Sequence, residues 1–338
     1  MIRKATINDV ARLSGVSKRT VSRVLNKSSK VGEATRLKIQ EIIDDLGYSP
    51  NAQARGLASS RSYLLGLIYD NPNALYIDEV QRGVLKPCRE FGYELVVHPC
   101  DMKSETLTDE AVNFASRSKL DGVIILPPVS ENNELAAALA AAKVNYVRLT
   151  SIALDTAEHV VISDDRSASA AMAKYLVGLG HRRIGYITGP KGWDSTRERL
   201  EGFCDGLERN GCKQSADMIA QGNYSFDSGI ESTRLLMSSP EPPTAIFASN
   251  DEMAVGAINA AAEMGLKVPG DVSVAGFDDS MLASRIRPTL TTIRRPVREM
   301  ARLAATRLIA VIDGQHEPES EPTTLVPSLV IRNSTCSI

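Results

Sequence analysis

Cysteine is sparse and unpatterned in this chain: Cys88, Cys100, Cys204, Cys212 and Cys336 are odd in number and form no Cys-x-x-Cys spacing. That argues against a disulfide frame or a zinc site and suits reduced cytosolic thiols. No apolar run approaches the roughly 18 residues of a membrane helix. Histidine is scarce, with His98, His159, His181 and His316 scattered and no His-Glu-x-x-His. Neither a Gly-x-x-x-x-Gly-Lys-(Ser/Thr) loop nor a Gly-x-Ser-x-Gly elbow is present, so the usual catalytic signatures are missing and an enzyme is disfavoured. No cofactor motif is found. The N-terminus reads Met-Ile-Arg-Lys-Ala-Thr and passes straight into a helical pattern, without a secretory leader, which disfavours an exported binding protein.

Positive charge is concentrated at one end. Residues 1–61 hold twelve Lys/Arg against five Asp/Glu, a net +7, leaving 27 against 36, or −9, for the remainder of a chain whose total is −2. A basic head on an acidic body is the electrostatic footprint of a nucleic-acid binder, although a charge run alone also fits a solvated face. Local pattern decides between them. Thr6 and Asp9 have capping-box spacing before Ile7, Val10, Ala11 and Leu13; Gly15 suits a tight turn, and Ser17 caps a second helix that buries Val21, Val24 and Leu25. The other face of that helix carries Lys18, Arg19, Ser22 and Arg23, the layout of a helix-turn-helix. A third helix is predicted over 34–46 from Leu37, Ile39, Ile42, Ile43 and Leu46, ending at Gly47.

The stretch 16–26 (VSKRTVSRVLN), Thr35-Arg36, 46–51 (LGYSPN) and 54–57 (ARGL) resemble the head and hinge of the LacI/GalR (lactose-repressor) family of bacterial transcription regulators. Gly32 departs from it, standing where the family commonly has a Ser cap. The segment 51–58 is about eight residues, too short for a helix that is stable alone in water. Ala54 and Leu57 share one helical face and bury best against a second copy. The resemblance implies paired hinge helices in the minor groove, with Asn51, Ala54 and Leu57 contacting DNA and Leu57 wedged into the central base step. It also implies base reading by Lys18 and Arg19, and backbone contacts by Thr6, Ser17, Ser22, Arg23 and Asn26. The alternative for 51–61 is an ordinary flexible linker.

The remaining 277 residues exceed one small core and suit two linked α/β lobes. Short apolar runs at 64–69, 93–97, 122–126, 145–149, 159–162, 184–187, 245–248 and 272–277 alternate with helix-sized segments at 79–91, 134–142, 166–179, 197–210 and 251–264. Alternation of this kind predicts parallel sheets with a ligand beyond the carboxyl ends of the strands, between the lobes. The fold class is therefore an N-terminal all-α helix-turn-helix head plus hinge helix, and an α/β core of two lobes with parallel sheets. Residues 179–190, 199–203, 243–251, 268–279 and 288–293 resemble the family's periplasmic-binding-protein-like core. That implies a head at 1–61, an N-lobe at 62–162 and 294–322, and a C-lobe at 163–293 and 323–338.

Carrying the family's pattern over, Arg199 and Asp278 are implied as polar effector ligands, with Ser195 and Asn250 beside them. Tyr224 is implied as a stacking aromatic; Tyr76 and Trp193 are candidates on which core packing is an equal reading. Lys191, Asp70 and Arg148 are further candidate contributors, which the family pattern does not place securely. Aromatic faces with Asp, Asn and Arg suit a polyhydroxylated ring, so a sugar or sugar derivative is favoured, with acidic sugars, purines and effector-dependent co-repression as alternatives. The resulting expectation is a cytoplasmic, nucleoid-associated homodimeric repressor on pseudopalindromic double-stranded DNA, controlled by an effector. The C-terminal tail reads as a strand without a leucine heptad, so a dimer and not a tetramer is expected.

Overall fold

A computed structural model describes residues 5–25, 30–48, 61–71, 73–315 and 321–338, and the chain divides into two compact units, residues 1–63 and 64–338. In the first unit three helices enclose a small core: α1 (Ile7–Ser14), α2 (Lys18–Leu25) and α3 (Glu33–Asp45). The Asp9 carboxylate accepts from both the Thr6 N–H at 3.0 Å and the Thr6 hydroxyl at 2.7 Å, which fixes the start of α1. Gly15 ends it at φ 71°, a left-handed turn that costs glycine nothing. Ser17 Oγ then accepts from the Thr20 N–H at 3.2 Å and starts α2. Val10, Val21 and Ile39 are fully buried at the centre. Two expected core positions are not core. Leu13 and Leu37 are 49% and 63% exposed, because Val10, Ala11 and Ser14 take the buried face of α1 and Ile39 and Ile43 that of α3.

The second unit contains two six-stranded sheets. The first is built from β1 (Leu64–Tyr69), β2 (Glu94–Pro99), β3 (Gly122–Ile125), β4 (Asn145–Thr150), β5 (Val160–Ser163) and, much later, β11 (Thr323–Leu325). Helices α4 (Ala74–Phe91), α5 (Leu107–Arg117) and α6 (Asn133–Ala141) connect its strands. The second sheet uses β6 (Ile184–Thr188), β7 (Ile219–Gln221), β8 (Ala245–Ala248), β9 (Ser273–Asp278), β10 (Thr291–Arg294) and β12 (Ser328–Val330). Its helices are α7 (Asp165–Gly178), α8 (Asp194–Arg209), α9 (Phe226–Met237), α10 (Asp251–Glu263) and the short α11 (Met281–Arg285); α12 (Val297–Ile312) returns to pack on α4 and β4.

The strand orders are β11-β5-β4-β3-β1-β2 and β12-β10-β9-β8-β6-β7, the same order twice. Every pairing is parallel except β12 with β10. Strands buried on both faces must be apolar throughout, as β3 and β8 are. The lobe boundaries differ from the sequence expectation. Thr323–Leu325 pairs with β5, so the last crossing lies between Leu325 and Ser328 and not at 322/323; the first and second fall just after Ser163 and Arg294.

Candidate functional site

Lys18 and Arg19 are exposed on α2, while Ser22 and Arg23 are half-buried one turn later on the same helix. Thr6 and Ser17, expected at the DNA backbone, spend their hydroxyls on Asp9 and on the start of α2, so whatever they offer to phosphate comes in addition to a capping role. Asn26, Asn51, Ala54 and Leu57 lie outside the described residues.

In the core, the two sheets direct the carboxyl ends of their strands toward one another, and a cavity of about 260 Å³ lies there. Tyr76, Trp193, Ser195, Arg199, Tyr224, Asn250 and Asp278 all line it. Each is placed by an element end, as a site beyond strand termini requires: Asp278 closes β9, Asn250 follows β8, and Trp193, Ser195 and Arg199 begin α8. Asp70 also lines the cavity; Lys191 and Arg148 do not. Arg148 is instead buried in a structural network, donating to Ser130 O at 2.6 Å and Asn133 Oδ1 at 2.9 Å and pairing with Asp155 at 3.3 Å.

The aromatic wall is held by other contacts. Trp193 and Tyr224 rings lie 5.6 Å apart, tilted by 46°. Tyr224 has φ 69°, an uncommon conformation for a bulky residue. Asn250 stabilises it: its Nδ2 donates to Tyr224 O at 2.9 Å while its Oδ1 accepts the Met253 N–H at 2.9 Å, capping α10. Asn250 is thus committed on both sides to structure.

Charge is arranged in a buried cluster. Asp165, fully buried, faces Arg199 Nε at 2.9 Å through one oxygen and Arg295 Nε at 3.4 Å through the other, and accepts from the Ser163 and Ser151 hydroxyls at 2.5 Å and 3.2 Å. Burial raises its carboxyl, but the two guanidiniums and the hydroxyls outweigh that and hold it below the usual range. Arg199 also donates to Ser249 O at 2.6 Å and lies 3.9 Å over the Phe277 ring. Despite its burial it stays charged, because Asp165, Tyr224 and Asp278 raise its pKa. Burial pushes Asp278 up to about 6, with Arg199 and Arg295 pulling the other way. The Tyr76 hydroxyl is likewise raised by burial, so it remains a neutral donor and acceptor near pH 7.

Several contributors have no clear mark in the sequence, Arg295, Lys103, Glu131 and Asp165 among them. Arg295 and Lys103 line the cavity, and Glu131 spans the lobes: its carboxylate accepts the Asp194 and Ser195 N–H groups at 2.7 Å and 3.3 Å, at the positive end of α8. Nothing local marks Glu131, since its partner helix begins 63 residues away. Arg295 stands beside Arg294 and Pro296 without a periodic pattern; only the doubled arginine was a signal.

Residues 6–51 match the model for bacterial regulatory proteins of the lacI family, and residues 173–335 match a periplasmic binding protein-like domain. The ribose operon repressor of Escherichia coli K12 is 34% identical, over 98% of this chain and 99% of that protein. Among solved structures, the lac repressor dimer bound to operator and the anti-inducer ONPF aligns at TM-score 0.78 with 31% identity, covering 99% of this chain and all of that one. A complex of the transcriptional regulator CelR with cellobiose aligns at TM-score 0.72 with 29% identity, over 98% and 99% of the two chains.

Proposed function

The chain belongs to the lacI family of bacterial regulatory proteins, and from that membership we propose a homodimeric repressor that reads operator DNA through Lys18 and Arg19 and releases or engages it according to a ligand held in the interlobe cavity. The observation that carries this reading is the joint presence, in one chain, of a basic three-helix head and a two-lobed core whose cavity gathers the aromatic and polar groups suited to a polyhydroxylated ring. No covalent chemistry is assigned to the cavity; the protein acts in the bacterial cytoplasm, at the nucleoid.

In this mechanism each recognition helix enters a major groove of a pseudopalindrome, about one helical turn from its partner. Arg19 or Lys18 pairs with guanine O6 and N7, while Thr6, Ser17, Ser22, Arg23 and Asn26 set register on phosphates. The hinge reading of 51–58, which rests on sequence alone, puts Leu57 at the central step. In the core, ring faces stack on Tyr224 and Trp193, and hydroxyls pair with Asp278 and Arg199. The ligand bridges groups from both lobes, so it stabilises one lobe arrangement over another, and a coupling of about 1–3 kcal/mol suffices to change DNA affinity 5- to 150-fold. The test is selection from a random duplex library with the full-length protein, followed by gel shift with and without sugars. Recovery of a pseudopalindrome whose affinity a sugar changes at least fivefold is expected. Failure to enrich any sequence overturns the reading.

A further inference from the structure

We propose that the ligand of the interlobe cavity carries a single carboxylate, held between the guanidinium groups of Arg199 and Arg295. The proposal rests on the reading of this cavity as the effector site and narrows its chemistry to sugar acids, such as uronates and aldonates.

Two buried arginines share one anchor. Asp165 faces the Nε of each, Arg295 Nε also donates to Ser163 Oγ at 3.2 Å and Arg199 Nη1 to Ser249 O at 2.6 Å, which leaves the Nη2 of each without a hydrogen bond. Arg199 Nη2 approaches Asp278 Oδ1 only at 3.8 Å, beyond hydrogen-bond range. Arg295 Nη2 is buried without any hydrogen-bond partner, although the residue lines the cavity and only 7% of its surface is exposed. An unpaired N–H on a buried cation is costly, and a planar fork of donors is matched best by a carboxylate. Lys103 adds a third cation to the lining, against the acids Asp70 and Asp278.

The charge balance favours a monoanion. Asp165 and Asp278 together offset the two guanidiniums, so a bound carboxylate adds one excess negative charge. Asp278 can absorb it. It faces Arg199, Arg295 and Asp165, lies near Asp251 and Tyr76, and is already raised to about 6. A neighbouring carboxylate raises it further, so an acid binds with uptake of a proton near pH 7, and its affinity increases as pH falls from 8 toward 6. A neutral sugar that donates a hydroxyl to ionised Asp278 shows the opposite trend, weakening as pH falls through about 6. A dianionic phosphate adds a second negative charge beyond the one that protonation of Asp278 offsets.

The experiment is calorimetric titration of the full-length protein with D-glucuronate, D-galacturonate and D-gluconate, each beside D-glucose or D-galactose, and with glucose 6-phosphate. At least one acid should bind tenfold or more tightly than its neutral parent and take up protons, measured by comparing buffers of different ionisation enthalpy. Arg295→Gln should weaken that acid roughly 10- to 100-fold, as loss of a charged hydrogen bond does. Arg295→Lys, which keeps the charge opposite Asp165 but not the fork, should fall between, and unfolding followed through Trp193 fluorescence checks that both variants fold. A merely structural Arg295 would leave the acid-to-neutral preference unchanged in both. The proposal is overturned if no acid is preferred to its neutral parent, if the phosphate binds more tightly than every acid, or if Arg295→Gln leaves the preferred acid within threefold. Should neutral aldoses bind and Tyr224→Ala abolish it, the cavity stands as the effector site and only the carboxylate fails. If no compound's binding responds to Tyr224→Ala, the cavity reading fails too.

Discussion

Asp165→Asn tests whether the charge cluster at the lobe crossing organises the core. The carboxylate is fully buried and faces two guanidiniums and two hydroxyls. The amide removes its negative charge and leaves Arg199 and Arg295 facing only Asp278. Breaking a buried pair from one side costs about 3–5 kcal/mol, because the surviving cation stays desolvated. For a domain of this size about 1 kcal/mol shifts Tm by roughly 2–4 °C, so the variant should melt about 6–20 °C lower. Trp193 is the only tryptophan and lies in the core, so its fluorescence follows this unit and not the head. Glu263→Gln is the control: its pair with Arg234 is 2.6 Å long but 48% and 57% exposed, and such pairs contribute about 0–1 kcal/mol. The pH dependence has a definite sign. Because the folded carboxyl is held below its unfolded value of about 3.9, its contribution is present above that pH and is lost as pH falls toward the folded value. The parent should therefore lose stability on acidification below about pH 4 more steeply than the variant. A Tm within 2 °C of the parent, or an equal loss in Glu263→Gln, would refute the reasoning.

Gly189→Ala is expected to lower ligand affinity at least tenfold with the fold retained, because a Cβ there overlaps the Tyr224 ring and must displace it; calorimetry checks this. Glu131→Gln weakens the carboxylate clasp on the first turn of α8 by about 0.5–2 kcal/mol, which should appear as a 2- to 30-fold loss in ligand affinity if closure depends on it. Arg19→Ala should cost about 1–3 kcal/mol and relax one operator position, seen by gel shift over single-base variants; a uniform loss over all sequences would assign Arg19 to phosphate. Leu57→Ala should reduce both operator affinity and the bend measured by circular-permutation gel shift, and an unchanged bend would exclude the wedge.

Legibility in sequence followed the range of the interactions. The Thr6-Asp9 box, the turn at Gly15 and the apolar spacing of Val10, Val21 and Ile39 act within a few residues, so the head could be drawn before its structure. Leu13 and Leu37 misled because helical periodicity marks an apolar stripe without saying how much of it the neighbouring helices cover. Helix α12 left a weaker trace: its buried face includes Ala301, Ala304, Ala305 and the charged Arg307 among its larger apolar residues, which lowers its hydrophobic contrast. Seven cavity residues were named from a family resemblance, and the fold brings all seven to one cavity.

The sequence by itself determined the helical head, its positive charge, and the alternation of strands and helices, since capping, turn and burial patterns are properties of short windows. Tertiary structure alone decided which charges meet. Ser163 and Arg295 are 132 residues apart, yet their hydrogen bond closes the crossing between lobes, and Asp165 joins Arg295 to Arg199 only because β5, β10 and α8 converge there. It likewise decided that Thr323–Leu325 belongs to the first sheet and Ser328–Val330 to the second. Desolvation is the physical reason: the pairing of a buried charge depends on the whole set of elements that exclude water from it, and no window of sequence contains that set.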